Sequence, residues 1–128
     1  MFPIRQRRPE ETERLYEIWR SAVEATHDFL SKEDLARIAA IVRDHYLPTA
    51  ELWVAVDDED RPLAFMGLTG SAVDSLFVAP DHRSRGLGRA LVDHATVLAG
   101  PLSVDVNEQN AGACAFYGRL GFILVGRS

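Results

Sequence analysis

The sequence predicts a mixed α/β (α+β) fold, a single sheet with helices laid against it. Three observations lead to that expectation. Apolar runs of strand length and segments of helical period alternate along the whole chain. One strand–loop–helix unit, Leu76 to Leu98, carries an unusual cluster of glycines and arginines. The length, 128 residues, suits one domain around one core, with no linker, repeat or low-complexity tract to divide it.

The elements are taken in chain order. Phe2 to Arg7 alternates loosely, as a first strand would, and Arg5, Arg7 and Arg8 read as a solvated basic end. Pro9-Glu10-Glu11 starts a helix, with proline in the first turn and acids at the positive end of the dipole. Leu15, Ile18, Trp19, Ala22 and Val23 give that helix its apolar face. Ser31-Lys32-Glu33-Asp34 resembles a capping box. It opens a second helix, with Leu35, Ile38, Ala39 and Val42 at helical spacing, that ends before Pro48. Leu52–Val56 and Leu63–Thr69 read as a hairpin around the turn from Asp57 to Pro62. Gly70-Ser71 turns the chain into a strand from Val73 to Ala79. A helix then runs from the glycines at 86 and 88 to Gly100-Pro101. Leu102–Val106 is a strand. Asn110 caps a helix carrying Phe116, Tyr117 and Leu120, closed by Gly121, and Phe122–Val125 is a final strand.

Several classes are excluded by composition. A net charge of −5 argues against general nucleic-acid or membrane-surface binding, both of which use a basic face. One cysteine, Cys114, makes neither an internal disulfide nor a cysteine metal cluster. His45, His82 and His94 show no ligand spacing, and His94 is expected on a solvated helix flank. No apolar run approaches membrane-spanning length, and the first residues lack signal-peptide form. Cytoplasm is the expected compartment, and no metal is expected.

The most informative stretch is Leu76-Phe77-Val78-Ala79-Pro80 and the Asp81–Arg89 segment after it. A helix N-terminus presents backbone N–H groups without internal partners, and glycine lets an anion approach them closely. Arg83, Arg85 and Arg89 surround that point in an otherwise acidic chain, which suggests a pyrophosphate site; a tight turn explains the glycines alone equally well. No Gly-Lys-Ser/Thr follows, so this is not a P-loop. Leu91 stands where a dinucleotide fingerprint has its third glycine or alanine.

Arg83-Ser84-Arg85-Gly86-Leu87-Gly88 matches the Arg/Gln-x-x-Gly-x-Gly/Ala motif of the GCN5-related N-acetyltransferases. Val-Ala-Pro before it, Ala-Leu after it, and Asn-x-x-Ala-x-x-Phe-Tyr-x-x-x-Gly-Phe from Asn110 to Phe122 are similar to the same family. The segment from Trp19 through Ala25–Leu30 resembles one subgroup of small bacterial members. The resemblance implies the acyl-CoA N-acyltransferase fold, a mostly antiparallel sheet flanked by about four helices. Its strands before and after the cofactor-binding helix splay apart. It also implies a further C-terminal strand, which this sequence does not show after Val125. A truncated chain, a partner subunit supplying the strand, or an open acceptor side would each account for that. A homodimer covering the sheet edge is one expectation.

The activity implied is transfer of acetyl from acetyl-CoA to a primary amine, directly within a ternary complex. The cofactor contacts implied are Arg83, Ser84, Arg85, Gly86, Leu87, Gly88, Arg89 and Ala90 for the diphosphate, Phe77 and Val78 for the pantetheine amides, and Asn110 and Phe116 from the second motif. Asn110 is equally a helix cap, and Phe116 reads as packing. Tyr117 holds the family's general-acid position; a phenol, with a pKa of about 10, keeps a proton to give at neutral pH. Its competing reading is a core tyrosine. Asp105 and Asp74 are both candidate bases, and Asn107 lies just beyond the strand end. His27, Asp28 and Phe29 lie where the family covers its acceptor side, and a surface loop explains them as well. Direct transfer needs no nucleophile, so Cys114 reads as a small apolar residue. The acceptor is left open among a small amine, an antibiotic-like amine and a protein amino group. Two other classes stay open: an acetyl-CoA-binding sensor or truncated inactive domain, and a nucleotide-binding α/β domain.

Overall fold

The computed structural model describes residues 2–26, 31–82, 85–104 and 111–122, with backbone alone for Ala25, Thr26 and residues 111–114. Five strands, β1 (Ile4–Gln6), β2 (Leu52–Val56), β3 (Pro62–Thr69), β4 (Ala72–Val78) and β5 (Ser103–Val104), stand in sheet order β1-β2-β3-β4-β5. The first three pairings are antiparallel and β4/β5 is parallel. A parallel pair needs a crossover, here α3 (Leu87–Ala99). The other helices are α1 (Thr12–Thr26), α2 (Lys32–Ile41) and α4 (Ala111–Arg119). The sequence places β2, β3, β4 and the start of α3 within a residue or two, while α1 begins at Thr12 after a 3-10 turn at Pro9–Glu11 and α2 ends at Ile41, short of the expected end before Pro48. Residues 105–110 and 123–128, which hold the rest of the two last expected strands, lie outside the described residues.

The sheet has a helical layer on each face. Leu15, Ile18, Trp19 and Val23 of α1 close over Val54, Val56 and Phe65 on one face. Leu87, Leu91 and Ala95 of α3 cover Ala55, Ala64 and Met66 on the other. β3 is buried from Pro62 through Leu68. A central strand covered on both faces reads as a continuous apolar run rather than an alternating one, and that is the sequence seen here. Ser31 caps α2 as expected, its hydroxyl accepting from the Asp34 N–H at 3.1 Å. α2 does not stop cleanly before Pro48. It widens into a π-helical turn, Val42–Tyr46, an irregularity that propensity does not reveal and that commonly marks a functional place.

Two expectations are corrected. The N-terminal arginines are not a solvated end. Arg5 bridges Glu11 at 2.7 Å and Asp60 at 2.9 Å, and Arg8 meets the same Asp60 at 2.6 Å. Arg7 donates to the Leu47 carbonyl and the Thr12 hydroxyl. Asp60 is brought in by the fold from the hairpin turn, 55 residues from Arg5, so local charge counting misses it. His94 does not face water either. Its ring lies 4.8 Å from that of Trp53, and Nε2 is buried without a partner among the described residues, as is Trp53 Nε1. The open helix flank assumed from spacing is covered by a side chain of β2.

The Arg5 guanidinium holds the Glu11 carboxyl below its usual pKa. A lowered folded-state value stabilises the fold above the ordinary carboxylate range, and that contribution is lost as pH falls through the lowered value. Glu11→Gln is expected to cost about 1–2 kcal/mol at neutral pH, with a smaller difference from wild type in acid. Urea unfolding at both pH values checks this; equal midpoints at neutral pH would reject it.

Candidate active site

Three features converge at the end of β4: outward-facing strand amides, a helix N-terminus and an aromatic helix. Among the described residues β4 pairs with β5 at Ala72↔Ser103 and Val73↔Val104. Past Val73, β4 has no partner on that side among the described residues. Its other side stays on β3, where a register shift sets Gly67 opposite Ser75 and Leu68 opposite Val73. Asp74 is therefore the extra residue of a β-bulge, a device that re-aims a strand and is common beside active sites.

The bulge decides which amides face the gap. Ala79 N–H donates to the Leu63 carbonyl at 2.9 Å. Alternation in an antiparallel ladder then turns Phe77 to β3 and leaves Leu76 and Val78 with outward N–H and C=O groups. Of the two strand residues named from the sequence, Val78 has its backbone on the open edge and Phe77 does not. Sequence reasoning misses Leu76, because the parity change at Asp74 leaves no mark in the residue pattern. The Phe77 ring packs on Phe65, 5.6 Å between centroids, on the α1/α2 face. Asp74, a candidate base, is exposed and accepts a hydrogen bond from the Thr69 hydroxyl.

The N-terminus of α3 lies just past the end of β4. Gly86, its N-cap, has φ 83° and ψ 12°, left-handed values that favour glycine. Ala90 N–H closes the first turn on the Gly86 carbonyl at 2.9 Å. The amides of Leu87, Gly88 and Arg89 are left without intrahelical partners. Leu87 contributes through its backbone alone, since its side chain is in the core. Arg85 and Arg89 are exposed, with no ion pair among the described residues, and Arg85 Nη1 lies 3.3 Å from His82 Nδ1. Arg83 and Ser84 lie outside the described residues.

The two glycines serve different ends. A Cβ on Gly86 would meet nothing within 4 Å, so only its backbone angle demands glycine. A Cβ on Gly88 would lie 2.9 Å from Phe116 Cζ. Gly88 thus lets the α4 ring rest on the first turn of α3. Phe116 stacks edge-on against Tyr117 at 5.1 Å, and Tyr117 against Phe122 at 5.3 Å. Tyr117 is 9% exposed, and burial pushes its phenol up to about 12. Its hydroxyl has no hydrogen-bond partner among the described residues. Tyr117 is thus a buried, protonated phenol on the helix whose Phe116 rests on the first turn of α3.

Comparison with known proteins decides the chain's family. Residues 48–124, which include the open edge, the α3 turn and α4, match the model of the acetyltransferase (GNAT) domain. The chain belongs to the GCN5-related N-acetyltransferase family. It is 52% identical over its whole length to a Salmonella typhimurium protein named peptidyl-lysine N-acetyltransferase YjaB, covering 88% of that protein. It is 50% identical to the Escherichia coli protein of the same name, again over its whole length and covering 86% of it. The solution structure of apo YjaB from Escherichia coli superposes with a TM-score of 0.94, at 48% identity, over all of this chain and 86% of that one. The fold is also that of the Thermoplasma acidophilum PaiA N-acetyltransferase solved with coenzyme A. The TM-score there is 0.88 at 17% identity, over all of this chain and 93% of that one. This GNAT protein is an acetyl-CoA-dependent acetyltransferase. Among the described residues, no helix is long and apolar enough to cross a membrane, and no cluster of acids, histidines and cysteine could hold a metal.

The remaining residues named from the sequence, Asp105, Asn110, His27, Asp28 and Phe29, lie outside the described residues, and the Cys114 side chain is not described. On the α1 face, a groove of about 430 Å³ opens between Arg14, Glu17 and Ser21 and the Ala79–His82 turn.

Gly86→Asp is expected to remove CoA binding, since it sets a carboxylate against the amides meant for a diphosphate; wild-type affinity by calorimetry would reject that assignment. Gly88→Ala is expected to lower stability by about 1–3 kcal/mol by driving Phe116 off α3, and an unchanged melting temperature would contradict the contact.

Proposed function

We propose that this GNAT protein acetylates the ε-amino group of lysine in proteins. Two relatives at half identity or more carry that activity in their names. The observation that carries the mechanism is Tyr117: its burial keeps the phenol protonated, and its helix touches the α3 N-terminus through Phe116 and Gly88.

The α3 amides, with Arg83, Arg85 and Arg89, hold the diphosphate of acetyl-CoA; Ser84, Gly86 and Ala90 shape that cradle. Leu76 and Val78 hold the pantetheine amides as an added strand would, and Asn110 holds the arm from the other side. The thioester supplies an activated acetyl group with a thiol as leaving group. A β4 amide donates to its carbonyl oxygen, a bond that strengthens as charge builds there; losing one such donor typically costs about a hundredfold or more in rate. The acceptor enters from the α1/α2 side, past His27, Asp28 and Phe29. Asp105 takes the proton lost by the attacking nitrogen. As the C–N bond forms and the C–S bond breaks, Tyr117 gives its proton to the sulfur, and the nitrogen's proton restores the phenol by way of solvent.

Tyr117→Phe is expected to lower kcat by about a hundredfold or more and to leave CoA affinity within about twofold. In wild type, the raised phenol value predicts no fall in rate from Tyr117 ionisation near pH 10, the ordinary tyrosine value. Steady-state rates against pH with a lysine peptide test both, and full turnover by the variant would remove Tyr117 from the mechanism.

A further inference from the structure

The α1/α2 face of β4 carries one polar pair in a largely apolar wall. Tyr46, the last residue of the π-helical turn, places its hydroxyl 2.7 Å from the Ser75 hydroxyl on β4. Gly67 N–H on β3 donates to the same serine oxygen at 3.1 Å. Three irregularities are fitted to this pair. The widened turn carries Tyr46. The bulge at Asp74 puts Ser75 on this face beside Phe77 rather than on the α3 face with Val73. At Gly67 a side chain is left out, since a Cβ there would overlap the tyrosine oxygen and come within 2.8 Å of Ser75 Oγ.

Counting protons shows what the pair has to spare. Two hydroxyls hold two protons, and one is used between them. Ser75 Oγ already accepts from Gly67. Whichever hydroxyl donates to the other, one O–H and at least one lone pair on Tyr46 are uncommitted among the described residues. Tyr46 remains protonated, because burial raises its phenol above the ordinary value. It is therefore a neutral hydrogen-bonding group rather than a base.

The position is specific. Ser75 is the second residue past Val73, the last β4 residue paired with β5 among the described residues, and its neighbour Leu76 turns its amide away from β3. A carrier anchored by its diphosphate at α3 and lying on the β4 edge runs back from Val78 toward Val73. That span of five residues is about 16 Å at strand rise. The Ser75–Leu76 step lies within that span.

Resting on the lysine-acetylation reading above, we propose that the Tyr46–Ser75 hydroxyl pair is the anchor of the incoming amine. Tyr46 Oη accepts one N–H of the neutral amine and leaves the nitrogen lone pair turned to the thioester carbon. An ammonium can donate to the same oxygen but has no lone pair to present, so only the deprotonated acceptor reacts from the anchor.

The test uses the full chain, acetyl-CoA and a short peptide with a single lysine. Tyr46→Phe and Ser75→Ala are each expected to lower kcat/KM for the peptide about tenfold or more, chiefly through KM. KM for acetyl-CoA and the calorimetric Kd for CoA should stay within about twofold. A purely structural role would move both substrates or neither. If Tyr46→Phe fails to fold, Ser75→Ala, which removes one oxygen from β4, decides alone. Peptide kcat/KM within twofold of wild type, or an equal loss for acetyl-CoA, overturns the anchor while the activity stands. A wild-type chain that leaves the peptide unmodified overturns the lysine reading and the anchor together.

Discussion

The bulge at Asp74 is the constraint on which the rest depends. Backbone hydrogen-bonding groups inside a sheet normally must be paired. Among the described residues β5 pairs with β4 at Ser103 and Val104, and α3 supplies the crossover that holds the two strands in parallel. The bulge at Asp74 then sets the parity of β4 beyond it. One extra residue turns Leu76 and Val78 away from β3 and commits Phe77 to it.

The helix after β4 sets its N-terminal amides beside this strand, and α4 packs on that first turn through Phe116. Gly86 takes up a left-handed angle to start α3, and Gly88 lets Phe116 in close. The absence of a side chain at Gly88 therefore couples two helices. Tyr117, next in sequence to Phe116, is placed by the same contact. Its burial in an aromatic cluster raises its pKa through desolvation, which disfavours the charged phenolate. The same packing that orders α4 thus keeps the phenol protonated.

Much of this architecture is legible in the sequence because the relevant signals are local. β2 coincides with the run Leu52–Val56, Ser31 announces α2, and the glycine–arginine loop marks the start of α3. The features that stay hidden depend on contacts distant along the chain. Arg5 and Arg8 look solvated until the hairpin turn brings up Asp60. His94 looks exposed until Trp53 of β2 covers it. The open-edge role of Leu76 requires a bulge that no residue pattern encodes. Tyr46 and Ser75, 29 residues apart, have no shared motif, and only the missing side chain at Gly67 marks their meeting.

The most direct measurement tracks individual backbone amides by hydrogen exchange, with and without CoA. Ser75 aside, where the bulge disturbs the ladder, alternation requires that the Phe77 amide be protected before any ligand is added. Leu76, Val78, Leu87, Gly88 and Arg89 should exchange readily alone and become protected when CoA binds. Protection of Leu76 and Val78 in the free protein, or CoA binding that leaves the α3 amides unchanged, would contradict the account.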